Sequence, residues 1–214
     1  MERKNTFQAA FLAALVAFGS TLVMGFGVPT PESVASLQPS QPSGPVTEFE
    51  RPTNEYPELV LRFFAADSLF VLSYTLVFVG LYTVVVAQSR TFAWVGLGAG
   101  ILAALLDATE NAFFITYALL ALNGVPLAEP ALPLIYIVAN LKWMGAYAAF
   151  YAFGLAWPRE SKPDWILSGF MLLFPLAGVL FGVAFPDLER LRGVFLLLGM
   201  PLFAWYFWQQ ARRA

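Results

Sequence analysis

Asp107, Glu110 and Asn111 lie in the run Leu105-Leu106-Asp107-Ala108-Thr109-Glu110-Asn111-Ala112-Phe113-Phe114, two carboxyl groups and a carboxamide inside an apolar segment. The spacing i, i+3, i+4 gathers them on one face of a helix. Three chemistries use such a set: a coupled titrating pair, oxygen ligation of a cation, or hydrogen bonding to a small ligand. A carboxyl group at bilayer depth costs about 2.5–3.5 kcal/mol, so these groups require partners, and few side chains in this sequence qualify. Lys142 falls near the middle of a later apolar run, and Asp67 in the outer half of an earlier one. Asp67, Phe70, Val71 and Tyr74 share a helical face, and Asn140 lies close to Lys142 in sequence. The binding or ion-coupling set is therefore Asp67, Tyr74, Asp107, Glu110, Asn111, Asn140 and Lys142, with Lys142 expected to pair with Asp107 or Glu110.

Other catalytic classes are excluded by residue type. The chain has neither cysteine nor histidine, which removes disulfides, thiol nucleophiles, zinc and haem sites of the usual kind and every His-based triad. A net charge of -2 leaves no basic footprint for nucleic acid. No cofactor and no resident metal is expected.

These side chains must be positioned within a chain of 214 residues that is 59% hydrophobic and 12% charged. A soluble domain carries about 25% charged residues. The expected fold is thus an all-α integral membrane protein, a single domain over residues 1–214 with the lipid bilayer as its principal partner. Six spans are read at about 7–27, 59–88, 92–122, 132–157, 165–185 and 193–208. The first follows Arg3 and Lys4 and, at about 20 residues, has the length of a span rather than of a short signal core. Residues 28–57 hold Pro29, Pro31, Pro39, Pro42, Pro45, Pro52 and Pro57, and read as a long Pro-rich external loop.

Within the spans, Gly96, Gly100, Ala103, Asp107, Glu110/Asn111 and Phe114 form one stripe on the third helix, a buried seam of small residues leading to the acids. On the fourth helix Tyr136, Asn140, Tyr147 and Tyr151 share a face. Lys142 lies about 200° away at 100° per residue, with Ala139, Gly145, Ala146 and Ala149. Pro175 and Pro201 stand inside the fifth and sixth helices, and Gly178 and Gly182 are spaced for close packing.

With the N-terminus inside, the inner segments carry seven cations (Arg3, Lys4, Arg90, Arg159, Lys162, Arg212, Arg213) against four outside (Arg51, Arg62, Arg190, Arg192). Trp94, Trp157, Trp165, Trp205 and Trp208 also cluster at the inner ends, as an interfacial belt does. Both termini are expected in the cytoplasm, and the expected location is the plasma (inner) membrane of a prokaryote.

Three functions compete. The first is proton- or cation-coupled transport, or small-ligand binding, within the bundle. The second is a non-catalytic accessory subunit of a membrane complex, or a homo-oligomer, built on Gly/Ala packing faces. The third is a lipid-modifying enzyme using Asp67, Asp107, Glu110 and Asn111 around Mg²⁺, the least favoured because no nucleophile motif or basic phosphate cluster accompanies it. The balance is against an enzyme. A purely structural role for the buried charges stands beside all three.

Overall fold

The computed structural model describes residues 2–27, 53–126, 132–180 and 191–213. Among these residues all regular structure is helical, with no strand. Six long helices follow in order: α1 Glu2–Leu22, continued by a wider helical turn over Val23–Gly27, α2 Pro57–Val85, α3 Arg90–Leu122, α4 Leu132–Leu155, α5 Lys162–Val179 and α6 Leu191–Arg213. Glu2–Gly27, Pro57–Val85 and Arg90–Leu122 are long and apolar enough to cross a membrane, each containing an 18-residue stretch of mean hydropathy 2.0, 2.0 and 1.6 respectively. Most of the Pro-rich segment read from the sequence, residues 28–52, and the pairing of Gly178 with Gly182 lie outside the described residues.

Local chemistry sets the helix ends. α2 begins on Pro57, whose fixed φ and missing N–H suit a first-turn position. Ser89 caps α3 by accepting from the Phe92 N–H at 3.4 Å. α3 stops at a Schellman arrangement: the Gly124 N–H donates to Ala121 O and the Val125 N–H to Leu120 O, both at 3.0 Å. Gly124 holds φ +76°, a conformation glycine adopts without strain. At the start of α5 the Asp164 carboxylate accepts from the Ser161 N–H at 2.9 Å and from its hydroxyl, a reciprocal cap. The helices extend past the expected spans at the charged ends, starting at Glu2 instead of residue 7 and ending at Arg213 instead of 208, because solvent-exposed turns there need no apolar face.

Each helix packs against its neighbours in the chain, and α1 packs against α6, closing a ring. One end of the ring is filled by a large aromatic and alanine core that includes Phe7, Phe78, Phe150, Phe153, Phe203 and Phe207. The other end holds a small core of Val60, Phe64, Phe114, Ala118 and Ile135, with Phe64 stacked on Phe114 at 4.2 Å. Glycine admits rings at several helix crossings, two of them on α3. A Cβ on Gly96 would stand 2.6 Å from the Phe153 ring, and one on Gly100 2.6 Å from the Phe78 ring.

The exterior inverts the pattern of a soluble protein. Leu12, Leu72, Leu105, Ile137, Leu173 and Leu198 are among many large apolar side chains facing outward, while Asp107, Glu110 and Asn111 are buried. Water does not tolerate so continuous an apolar surface, and this distribution fits a helical membrane protein. Trp94, Trp165, Trp205 and Trp208 lie at the surface. Trp157, read from the sequence as part of the same belt, is instead 2% exposed, packed 5.0 Å from the Tyr206 ring. It follows the last turn of α4, where Tyr206 of α6 covers it.

Candidate functional site

The small-residue stripe on α3 is buried along its length, from Ala93 and Gly96 through Asp107, Glu110 and Asn111 to Phe114 and Ala118. α4 runs antiparallel against it. Gly145 allows the approach: a Cβ there would be 3.2 Å from both the Ala103 Cβ and the Ala99 carbonyl. This contact brings the Lys142 side chain to the acids.

Lys142 Nζ donates to Asp107 Oδ1 at 2.7 Å and pairs with Glu110 as well. The sequence pattern indicated one partner or the other; the ammonium takes both, since three donors on one nitrogen reach carboxylates one turn apart. All three side chains are enclosed, at 19%, 8% and 6% exposure for lysine, aspartate and glutamate. Tyr74 of α2 donates its hydroxyl to the other Asp107 oxygen at 3.0 Å. The Tyr74 ring is wedged edge-on between Phe70 at 5.1 Å and Phe78 at 5.6 Å, which fixes the phenol. Asn111 donates to Ser68 Oγ at 3.3 Å, and Ser68 in turn donates to Phe64 O on its own helix. Asp67 stands beside Asn111, half-buried.

Six of the seven sequence-derived residues converge in this way. Asn140 does not. It is exposed, and its amide donates to Tyr136 O at 2.9 Å on its own helix. Its angular distance from Lys142 accounts for this, and Asn140→Leu is expected to leave thermal stability within about 0.5 kcal/mol in a melting scan, as at other surface sites. The expected Tyr136/Asn140/Tyr147/Tyr151 face also divides. Tyr151 is exposed, whereas Tyr147 is buried, 5.4 Å from the Phe174 ring and occupying the place of a Gly178 Cβ. α5 covers only that part of α4.

A cavity of about 270 Å³ lies on the axis of the ring, with lining from all six helices. Asp67, Tyr74, Asp107 and Lys142 form its polar wall, and Phe63, Phe70, Trp143, Phe150, Phe174 and Met200 supply much of the apolar remainder. Met24, Gly25, Phe63 and Gly193 line it at helix ends on one side of the ring. On the other side Phe150 and Phe203 stack at 5.8 Å, with Phe78 at 5.4 Å from Phe150, and close it.

Arg192 was missed. Its position next to the Pro186–Asp187 stretch placed it in an external turn, but it belongs to the first turn of α6, is buried, and lies 5.1 Å over the Trp143 ring. The available signal was Trp143, a tryptophan at mid-depth beside Lys142, which offers a face for a cation.

Among the described residues no group of three or more His, Cys, Asp or Glu side chains is arranged to hold a metal ion. The Lys142 ammonium occupies the position between Asp107 and Glu110 that a hard cation would take. No known protein-family model, curated protein or solved structure matches the chain.

Proposed function

We propose that this chain is a six-span membrane protein that binds a small ligand, an apolar body bearing a cationic or hydrogen-bond-donating group, in the axial cavity. One observation carries the reading: part of the charged cluster, Asp107 and Lys142, together with Asp67, forms one wall of a cavity. Asp107 and Lys142 face both each other and that space. A cluster serving only to join α3 to α4 has no need of an adjoining void, and voids cost stability. The volume is near the lower end of small-molecule sites, and a mostly apolar wall with a few placed polar groups is their usual make-up.

The charge balance indicates the ligand's polar end. Lys142 is shared by Asp107 and Glu110, and Asp67 stands on the cavity wall without an ion-pair contact among the described residues. The aromatic rings around it suit the body of such a ligand and the face of a cation. Passage through the bundle would require Phe78, Phe150 and Phe203 to separate, so the arrangement favours occupancy from one end over a continuous path.

The outward-facing apolar surface supports membrane residence, and α4, α5 and α6 complete the six spans in this reading. α4 is made less apolar by Asn140 and Lys142, the second of which the cluster neutralises.

The test uses detergent-solubilised protein and three probes of one shape: 2-phenylethylamine, 2-phenylethanol and phenylacetate. At tenfold excess over Kd a ligand stabilises by about 1.4 kcal/mol, or about 3–6 °C in Tm for a chain of this length. The amine is expected to raise Tm by that amount in the wild type and to have no effect on Asp67→Asn, with phenylacetate inert in both. Equal shifts from the amine and the alcohol would remove the cationic preference, and no shift from any probe would count against a ligand site of this class.

A further inference from the structure

We infer a second site, for the phosphate of an anionic phospholipid, in the cleft between the N-terminal part of α1 and the C-terminal part of α6. It rests on the membrane reading above but not on the axial cavity. The ring topology creates it. α1 and α6, at opposite ends of the sequence, pack together with Phe7 stacked on Phe207 at 6.2 Å. That contact brings the basic residues of both chain ends, Arg3 and Lys4 with Arg212 and Arg213, to one end of the bundle.

Between them is a cleft of about 450 Å³ lined by Lys4, Gln8, Phe11, Trp208, Ala211 and Arg212. Lys4 and Arg212 face it from opposite helices, and among the described residues no acidic side chain lines it; Glu2, on the first turn of α1, is outside the lining. Arg212 is held 4.3 Å over the Trp208 ring, which limits the orientations of its guanidinium. A fixed guanidinium, a flexible ammonium and a carboxamide on one cleft constitute a donor set for a phosphate monoanion.

The surface beyond the cleft favours a lipid over a soluble anion. Gln8, Leu12 and Leu15 follow one another along one face of α1, and Leu12 and Leu15 are 59% and 44% exposed. Phe11 and Trp208 stand where that apolar strip meets the basic end. A headgroup between Lys4 and Arg212 thus continues into an acyl chain laid along Leu12 and Leu15. The α1 N-terminus adds a favourable dipole and the α6 C-terminus an unfavourable one, so the side chains decide the sign.

The experiment is native mass spectrometry of detergent-solubilised protein with dioleoylphosphatidylglycerol or dioleoylphosphatidylcholine, with and without inorganic phosphate. The expected result is one retained phosphatidylglycerol, bound about tenfold more tightly than phosphatidylcholine. Lys4→Gln/Arg212→Gln should lose that preference, and Arg212→Lys should keep most of it. The charge-matched control Arg90→Gln/Lys162→Gln, at the same end but off the cleft, should keep it fully. Equal loss in the control would reduce the effect to bulk charge and overturn the site. Displacement of the lipid by equimolar inorganic phosphate would overturn the lipid assignment. Carbonate extraction from phosphatidylcholine vesicles tests membrane integration separately, so a protein that is stripped from them fails the earlier reading, and one that stays but shows no lipid preference fails only this one.

Discussion

Replacing Lys142 with methionine is expected to lower Tm by about 10 °C. The ammonium contacts both Asp107 and Glu110, and all three groups are well under a third exposed. Two magnitudes compete. Polar contacts between membrane helices are worth about 0.6 kcal/mol, at most about 1.7; were that all, the loss would be barely measurable. Removing one member of a buried ion pair, however, leaves the others charged without compensation, and that costs about 3–5 kcal/mol. The second effect governs here because Glu110 has no other hydrogen-bond partner for its buried Oε2 among the described residues, and Asp107 retains only the Tyr74 hydroxyl. At about 2–4 °C per kcal/mol for a chain of this size, the loss is readily seen in a detergent melting scan. Adding Glu110→Gln or Asp107→Asn to Lys142→Met should return part of it, and adding both should return more. Strict additivity of the single changes would show that the three groups are not energetically coupled.

The same cluster marks how far the sequence could be read. Asp107, Glu110 and Asn111 were legible because helical periodicity is local, and i, i+3, i+4 spacing fixes their common face whatever surrounds them. Lys142 was legible because the sequence places no other basic residue near mid-span, and a short connection makes α3 and α4 antiparallel neighbours. Tyr74 followed from the face of α2 that carries Asp67. The axial cavity was not legible, since it arises from closure of the ring by α1 against α6, a contact between residues about 200 positions apart. Arg192 was hidden for a related reason: its position near Pro186 suggested an external turn, while its burial depends on where Trp143 sits across the ring. Trp157 was misassigned because the exposure of a tryptophan at a helix end depends on which neighbour leans over it. Asn140 shows the converse, a polar residue near the cluster in sequence whose helical angle directs it to the surface.

The packing of the cluster's own scaffold gives the second large effect, and two glycines only two residues apart, on nearly opposite faces of α3, give it opposite signs. Gly98 has nothing within 4 Å of a built Cβ, so Gly98→Ala should only gain helix propensity, up to about 1 kcal/mol. Gly100→Ala gains the same propensity but drives its methyl to 2.6 Å from the Phe78 ring. Phe78 cannot easily retreat. It lies 5.6 Å from Tyr74, 5.4 Å from Phe150 and 6.2 Å from Phe153, each buried. Overpacking of this kind costs about 1–3 kcal/mol, so the net result is a loss of up to about 2 kcal/mol against a gain for Gly98→Ala, a difference plain in paired melting curves. Phe78 also lines the cavity, and its edge holds the Tyr74 ring whose hydroxyl serves Asp107. Gly100→Ala should therefore weaken the response to 2-phenylethylamine as well as lowering Tm, while Gly98→Ala leaves that response intact. A Phe78→Leu change in the Gly100→Ala background, which exchanges the ring for a smaller side chain, should recover part of the lost stability; an unchanged Tm in that double variant would mean that the clash is relieved elsewhere along α3.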